Sequence, residues 1–133
     1  FQNTRNKNFK NHNKFFSKLS KYFIPIKVNK NVKTNFLAYP LILKANNKFT
    51  RKKLQIYLEK NNIQTRPIFS GNILRHPAFK TLINNRNNVN KFLNADYIMK
   101  FGILIGCHQG LKFDQIKYIH NKILSFIKFY YGK

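Results

Sequence analysis

Carboxylates are nearly missing from this chain: Asp and Glu number 3 in 133 residues, against 26 Lys and Arg, for a formal charge of +23 at pH 7. Glu59, Asp96 and Asp114 form no pair spaced for acid–base work, and their settings (a helix face, a turn, a helix start) suit capping or surface roles. Cysteine is almost as scarce. With Cys107 alone, no internal disulfide can form, and a reducing cytoplasm is the expected compartment. No apolar run approaches the ~18–20 residues of a membrane span. No apolar segment follows Phe1 as a signal peptide would require. Because Phe1 is not methionine, the chain is expected to be a piece of a longer protein. The histidines at 12, 76, 108 and 120 fit neither HExxH nor Cys-x-x-Cys spacing, so no metal site is expected, and P-loop and GxGxxG motifs are absent. Cys107 and His108 are adjacent, so on a strand end their side chains point apart. Cys107 is therefore expected to be buried and structural rather than nucleophilic. No catalytic residue is assigned: the chain carries binding groups without a complete catalytic set.

What is present describes a folding chain of one domain's length, with 43% hydrophobic and 16% aromatic residues,. The positive charge, taken alone, points to nucleic acid or an anionic membrane surface. Lysine, however, far outnumbers arginine and accompanies Asn, Ile, Phe and Tyr, the residues that AT-rich coding favours. The lysines are also scattered, and only the N-terminal part is densely basic. A nucleic-acid partner is therefore not expected, and a basic nucleic-acid-binding module is the alternative reading. So charged a domain is expected to work beside something anionic or beside acidic parts of a larger chain.

Residues 5–23 place Phe9, His12, Phe16, Leu19 and Phe23 at spacings of three and four, which predicts an amphipathic helix ended by Pro25. His12 is expected within the buried stripe, partly covered. A polar connector spans 27–35, and residues 36–43 read as a strand with Pro40 at an edge or bulge. Thr50 is a predicted N-cap for a helix running to about Asn61, with Leu54, Tyr57 and Leu58 inward. Ile63 begins a second extended segment. Residues 80–94 read as a surface loop with a short helical turn near its start. A helical turn capped by Asn94 and a short apolar strand over 101–106 follow. A last helix starts near Phe113, with Asp114 favourable in its first turn and Ile116, Ile119, Ile123 and Ile127 on its apolar face. The order predicts an α/β chain of the α+β type, with helices on a small three- to four-stranded sheet.

Between the second extended segment and the polar loop lies Thr65-Arg-Pro-Ile-Phe-Ser-Gly-Asn-Ile-Leu-Arg-His-Pro-Ala-Phe79. Pro67 fixes its own φ and biases Arg66 toward extended backbone. Gly71 allows positive φ or a close approach. Arg66 and Arg75 offer planar charged forks for phosphate or carboxylate, and Ser70 and Asn72 supply short donors and acceptors. An ordinary turn flanked by solvated arginines accounts for the same residues without a ligand.

Four blocks together resemble the C-terminal part of the DegT/DnrJ/EryC1/StrS family of nucleotide-sugar aminotransferases and their dehydratase relatives. They are Arg5…Asn8-Phe9; Phe36-Leu-Ala-Tyr-Pro40; Asn62-Ile-Gln-Thr-Arg-Pro-Ile-Phe-Ser-Gly-Asn72 with Arg75-His-Pro-Ala-Phe79; and Asn94-Ala-Asp…Met99…Ile105-Gly-Cys-His-Gln-Gly-Leu111. The resemblance covers about residues 5–127. Its Thr-Arg-Pro-x-Phe-x-Gly-Asn core is closest to the 3-dehydratases of CDP- or GDP-linked 4-keto-6-deoxyhexoses, on the way to dideoxysugars of lipopolysaccharide. Gln109 stands where relatives often have proline, and His76 where the dehydratases often have glutamine. The resemblance implies a pyridoxal- or pyridoxamine-phosphate enzyme, usually a homodimer, whose N-terminal large domain carries the cofactor lysine, or a histidine in its place. This chain would be the small C-terminal domain (residues 1–35 a linking helix and basic connector, 36–127 a sheet–helix core), without that large domain and inactive alone. By the same resemblance Arg66, Ser70, Asn72 and Arg75 line the sugar-nucleotide pocket, and this segment binds no cofactor itself. A truncated gene product without function is the remaining reading.

Overall fold

The structure, a computed structural model, describes residues 1–82 and 91–132. Helix α1 (Gln2–Ser17), strands β1 (Phe23–Ile24) and β2 (Ala38–Leu43), and helix α2 (Arg51–Lys60) come first. Strand β3 (Thr65–Pro67), two 3-10 turns (Ile73–Arg75 and Pro77–Leu82), helix α3 (Leu93–Phe101), strand β4 (Gly102–Gly106) and helix α4 (Phe113–Tyr131) complete the order. The four strands form one sheet in the order β1-β2-β4-β3, antiparallel throughout. The α/β architecture and the four-stranded count agree with expectation. Part of the predicted 80–94 loop lies outside the described residues.

Strand alternation sorts the sheet into two faces. Tyr39 opposite Ile105 and Leu41 opposite Ile103 are buried. They share a core with Phe9 and Phe16 of α1, Leu54 and Leu58 of α2, and Ile119, Ile123 and Phe126 of α4. The N-terminal helix thus contributes Phe9 and Phe16 to the core. The other parity, Ala38 opposite Gly106 and Arg66 opposite Leu104, faces away from that core. There α3 lies across β2, with the Tyr97 hydroxyl donating to the Leu43 carbonyl at 3.1 Å and accepting from the Ala45 N–H at 3.1 Å.

Several sequence expectations need correction. Helix α1 stops at Ser17, well before Pro25, where the Lys18 and Leu19 N–H groups turn to the Phe15 and Phe16 carbonyls in i→i+3 bonds and the i→i+4 ladder ends. Phe23 is fully buried as the stripe implied, but from a two-residue edge strand opposite Leu43. Helical spacing marked it as buried without revealing the backbone that buries it. Asn94 caps nothing. Helix α3 begins at Leu93 behind Phe92, which makes no side-chain cap bond. Pro40 lies within an interior strand, opposite Leu104, yet β1 pairs only with Ile42 and Leu43. The flank of β2 beside Pro40 is therefore open, and its missing N–H breaks no ladder bond there. Thr50 caps α2 as predicted, its hydroxyl accepting from the Lys53 N–H at 3.2 Å. Among the described residues no helix is long and apolar enough to cross a membrane.

His12 is fully buried, not partly covered. Its Nε2 lies 3.0 Å from the Gly106 carbonyl, which can only accept, so Nε2 carries the proton,. Nδ1 is then an acceptor, and His120 donates to it from Nε2 at 3.0 Å. The His120 ring stacks on Phe15 with centroids 3.9 Å apart. The chain His120 to His12 to Gly106 ties α4, α1 and β4 together through neutral imidazoles. Burial, partly offset by the carbonyl bond, lowers His12 to about 4. Burial and then the neighbouring His12 lower His120 to about 4.

These shifts set a pH dependence. The unfolded chain takes up the two protons near 6.5 while the folded chain resists to about 4, so unfolding absorbs protons between those values,. The stabilisation is complete above pH 6.5 and declines as pH falls to 4. For one fully buried imidazole the loss amounts to roughly 3 kcal/mol. Thermal unfolding followed across this interval is expected to show the midpoint falling steadily with pH. A flat profile would contradict the neutral pair.

Candidate functional site

The arginine-rich stretch starts at β3, which is anchored from behind. Glu59, at the end of α2, accepts from the Thr65 N–H at 2.6 Å and the Thr65 hydroxyl at 2.8 Å through one oxygen. Asn62 makes the intervening turn with φ of 57°. With Thr65 turned to the core, alternation sends Arg66 to the opposite face beside Leu104. Its guanidinium has no hydrogen-bond or ion-pair partner among the described residues.

Arg66 lines a cavity of about 580 Å³. Its lining includes the apolar Ile63, Leu104, Ile105 and Ile119, while His108, Asp114, Gln115 and Tyr118 add polar groups from the β4–α4 connection and the first turns of α4. Helix α1 holds this wall in place. Asn8 Nδ2 donates to the His108 carbonyl at 3.0 Å and to the Leu111 carbonyl at 3.3 Å, and Arg5 Nε donates to Gln109 Oε1 at 2.7 Å. The Gly110 N–H donates to His108 Nδ1 at 3.1 Å, so in the neutral ring the proton sits on Nε2,. Cys107, next to this wall, is fully buried, and burial pushes its thiol up to about 11 despite the opposing charge of Arg5. It is not a thiolate at neutral pH.

The other three residues of the expected set lie elsewhere. Ser70, Asn72 and Arg75 are not among the walls of this cavity. Ser70 sits at an exposed turn where its carbonyl accepts from His76 Nε2 at 2.6 Å. Asn72 is buried: its Oδ1 accepts from the Leu74 N–H at 3.1 Å, and its Nδ2 donates to Asp96 Oδ1 at 2.8 Å. Arg75 grips the same carboxylate with both arms of its fork, Nε at 3.0 Å and Nη2 at 2.6 Å. The bonds from Arg75 and then from Asn72 hold Asp96 down to about 2. Asn72 and Arg75 are thus brought together around Asp96, clamping the 71–75 turn to α3, while Arg66 stands apart in the cavity. Sequence reasoning missed the 108–118 side of the site. Its available signal was Asp114 at a helix start beside a His-Gln-Gly turn, which reads as ordinary helix initiation.

Gly71 is required twice at this clamp. Its φ is +61°, and an added Cβ would lie 2.5 Å from Met99 Cβ and 3.0 Å from Met99 Cα on α3,. Neither atom is a flexible chain end that could swing aside. Phe69, beside it, holds φ of 45° with 87% of its surface exposed.

The model of the DegT/DnrJ/EryC1/StrS aminotransferase family matches residues 1–124. The chain is 27% identical over 127 residues to dTDP-4-dehydro-2,6-dideoxy-D-glucose 3-dehydratase of Saccharopolyspora spinosa, covering 96% of this chain and 27% of that protein. A variant of GDP-4-keto-6-deoxymannose-3-dehydratase (ColD), solved with bound GDP-perosamine, superposes with a TM-score of 0.68 at 26% identity, over 91% of this chain and 30% of that one. An aminotransferase from Psychrobacter cryohalolentis shares the fold with a TM-score of 0.80 at 13% identity, over 98% of this chain and 35% of that one. The chain therefore spans about a third or less of the length of these proteins.

Gly71→Ala is expected to lower stability by roughly 1–3 kcal/mol, the range for a residue forced into left-handed backbone. Thermal unfolding of the variant beside the parent measures it. An unchanged midpoint would show that the turn does not need this conformation.

Proposed function

Because the chain belongs to the DegT/DnrJ/EryC1/StrS aminotransferase family, we propose that it is the C-terminal, substrate-side domain of a pyridoxal- or pyridoxamine-phosphate-dependent nucleotide-sugar enzyme. The 3-dehydratase branch is favoured over transamination. Thr65-Arg-Pro-Ile-Phe-Ser-Gly-Asn72 is the stretch most like that branch, and two of the relatives above are named as 3-dehydratases of 4-keto-6-deoxyhexoses linked to dTDP or GDP. The observation that carries the reading is Arg66: a permanently charged fork, unpaired among the described residues, in the lining of a cavity it shares with several apolar side chains,. In this role it holds a phosphate of the nucleotide sugar. Ser70, Asn72 and Arg75 belong to the same site as its supporting turn, with Asn72 and Arg75 acting through Asp96 and Ser70 left free to meet ligand.

The cavity walls contain no lysine to form a Schiff base with pyridoxal phosphate,. No step of cofactor chemistry is assigned to this chain. The cofactor and the residue acting on it belong to a large domain preceding it, in a homodimer of the full-length protein. Leu37, Phe69 and Leu93 are exposed by 68%, 87% and 70%. They supply apolar surface that such a domain or a second copy would cover. A cytoplasmic setting suits a nucleotide-sugar substrate and a lone buried thiol,. The nucleic-acid reading gains no support from charge placement. Exposed lysines stand on all four helices (Lys14, Lys52, Lys100 and Lys117 among them) and on the 27–35 connector, instead of gathering on one face.

In the full-length enzyme, Arg66→Ala is expected to raise the nucleotide-sugar KM or lower kcat by about tenfold or more, as for a lost charge-assisted contact of about 1.5–3 kcal/mol. Steady-state kinetics on the purified variant checks this. Unchanged constants would remove Arg66 from the site.

A further inference from the structure

The lysines are spread over the surface, but three of them meet a joined set of aromatic rings at the C-terminal end of α4. The Lys21 ammonium lies 5.8 Å from the centre of the Tyr22 ring, that of Lys48 5.2 Å from Tyr131, and that of Lys53 5.6 Å from Tyr130. These rings adjoin. Tyr22 and Tyr131 have centroids 4.8 Å apart, and Phe49 lies 6.3 Å from Tyr131 and 5.5 Å from Tyr130. Phe129 continues the cluster at 5.1 Å from Tyr130, with 81% of its surface exposed. The three lysines are exposed and the three tyrosines half-buried. The Tyr131 hydroxyl accepts from the Lys48 N–H at 3.0 Å and donates to Asn47 Oδ1 at 3.1 Å, which fixes its ring to the 47–48 backbone.

No carboxylate answers these charges. Glu59 is occupied by Thr65, and Asp96 by Arg75 and Asn72. Asp114, the third and last of the chain, stands in the first turn of α4, roughly 22 Å along the helix from Phe129,. A second copy of the chain would bring its own positive charge against the cluster. Single-stranded nucleic acid stacks its bases on bare ring faces, and here a lysine lies over each tyrosine, which leaves Phe129 alone,. A lipid surface needs no bare faces. Tyrosine rings sit at headgroup level, lysines reach anionic phosphates from beside them, and a protruding phenylalanine enters the acyl boundary.

We propose that this end of the domain is a peripheral docking surface for an anionic phospholipid bilayer. Phe129 is the inserted group, and Lys21, Lys48 and Lys53 make the headgroup contacts. One ring and a few charges give reversible attachment, not insertion. None of the cluster's residues lines the cavity, so the two surfaces can be altered separately.

The test is co-sedimentation of the full-length protein with vesicles of phosphatidylcholine alone or of an equimolar mixture with phosphatidylglycerol. Binding is expected to the mixed vesicles only, and to be lost at high salt. Phe129→Ser, a change at an exposed position, is expected to weaken it about tenfold. Replacing Lys21, Lys48 and Lys53 together by Gln is expected to weaken it more than about tenfold, while the same loss of charge at Lys10, Lys33 and Lys100 changes it less than about threefold. Unchanged circular dichroism reports that each variant is folded. No binding to mixed vesicles would overturn the proposal. Equal losses in the two triple variants would overturn it in favour of diffuse charge, and so would binding indifferent to Phe129→Ser. Affinity for polyuridylate without affinity for mixed vesicles would overturn it in favour of a nucleic-acid partner.

Discussion

The antiparallel register that seats β4 between β2 and β3 governs everything else in this domain. With Ile103 and Ile105 facing the three-helix core, Leu104 must face away, and so must Arg66 opposite it. A slip of one residue would bury the guanidinium and turn Thr65 out to solvent. Glu59 guards against that slip by holding both the N–H and the hydroxyl of Thr65. The same alternation that builds the core therefore turns Arg66, unpaired among the described residues, away from that core, where it lines the cavity.

A second constraint acts along α1. Arg5, Asn8 and His12 recur at helical spacing on one face and reach the 106–111 segment with side-chain bonds to Gln109, to the His108 and Leu111 carbonyls and to the Gly106 carbonyl. Backbone carbonyls at the end of a strand need donors, and here a neighbouring helix supplies them. The cavity wall is thereby fixed by residues that never touch its interior. Arg5 and Asn8, which open the first block of the family resemblance, both make such bracing bonds.

Much of this was legible in the sequence where periodicity was strong. The isoleucines of α4, the Thr50 cap, and the strands around residues 38–43 and 102–106 follow from spacing and capping chemistry alone. Gly71 was marked for positive φ or close approach, and it shows both. What escaped depended on distant partners. Strand β1 exists only because residues 42 and 43 pair with it. The ends of α1 and α3 were set by turns and by tertiary packing that propensity does not encode. Asn72 and Arg75 read as free polar groups because Asp96, which occupies both, lies more than twenty residues further along the chain. Asp114 read as a dipole-favoured helix start because nothing local reveals the cavity beside it.

The two rims of the sheet are both blunt. Strand β1 offers two residues, and β3 offers three, the last of them Pro67 with no N–H to give. Beyond β1 the flank of β2 over residues 38–41 stays open, and there Pro40 has no N–H to give,. Backbone-to-backbone accretion is therefore disfavoured along these margins, and side-chain surfaces, where shape and charge can be matched to one partner, are the better route to assembly.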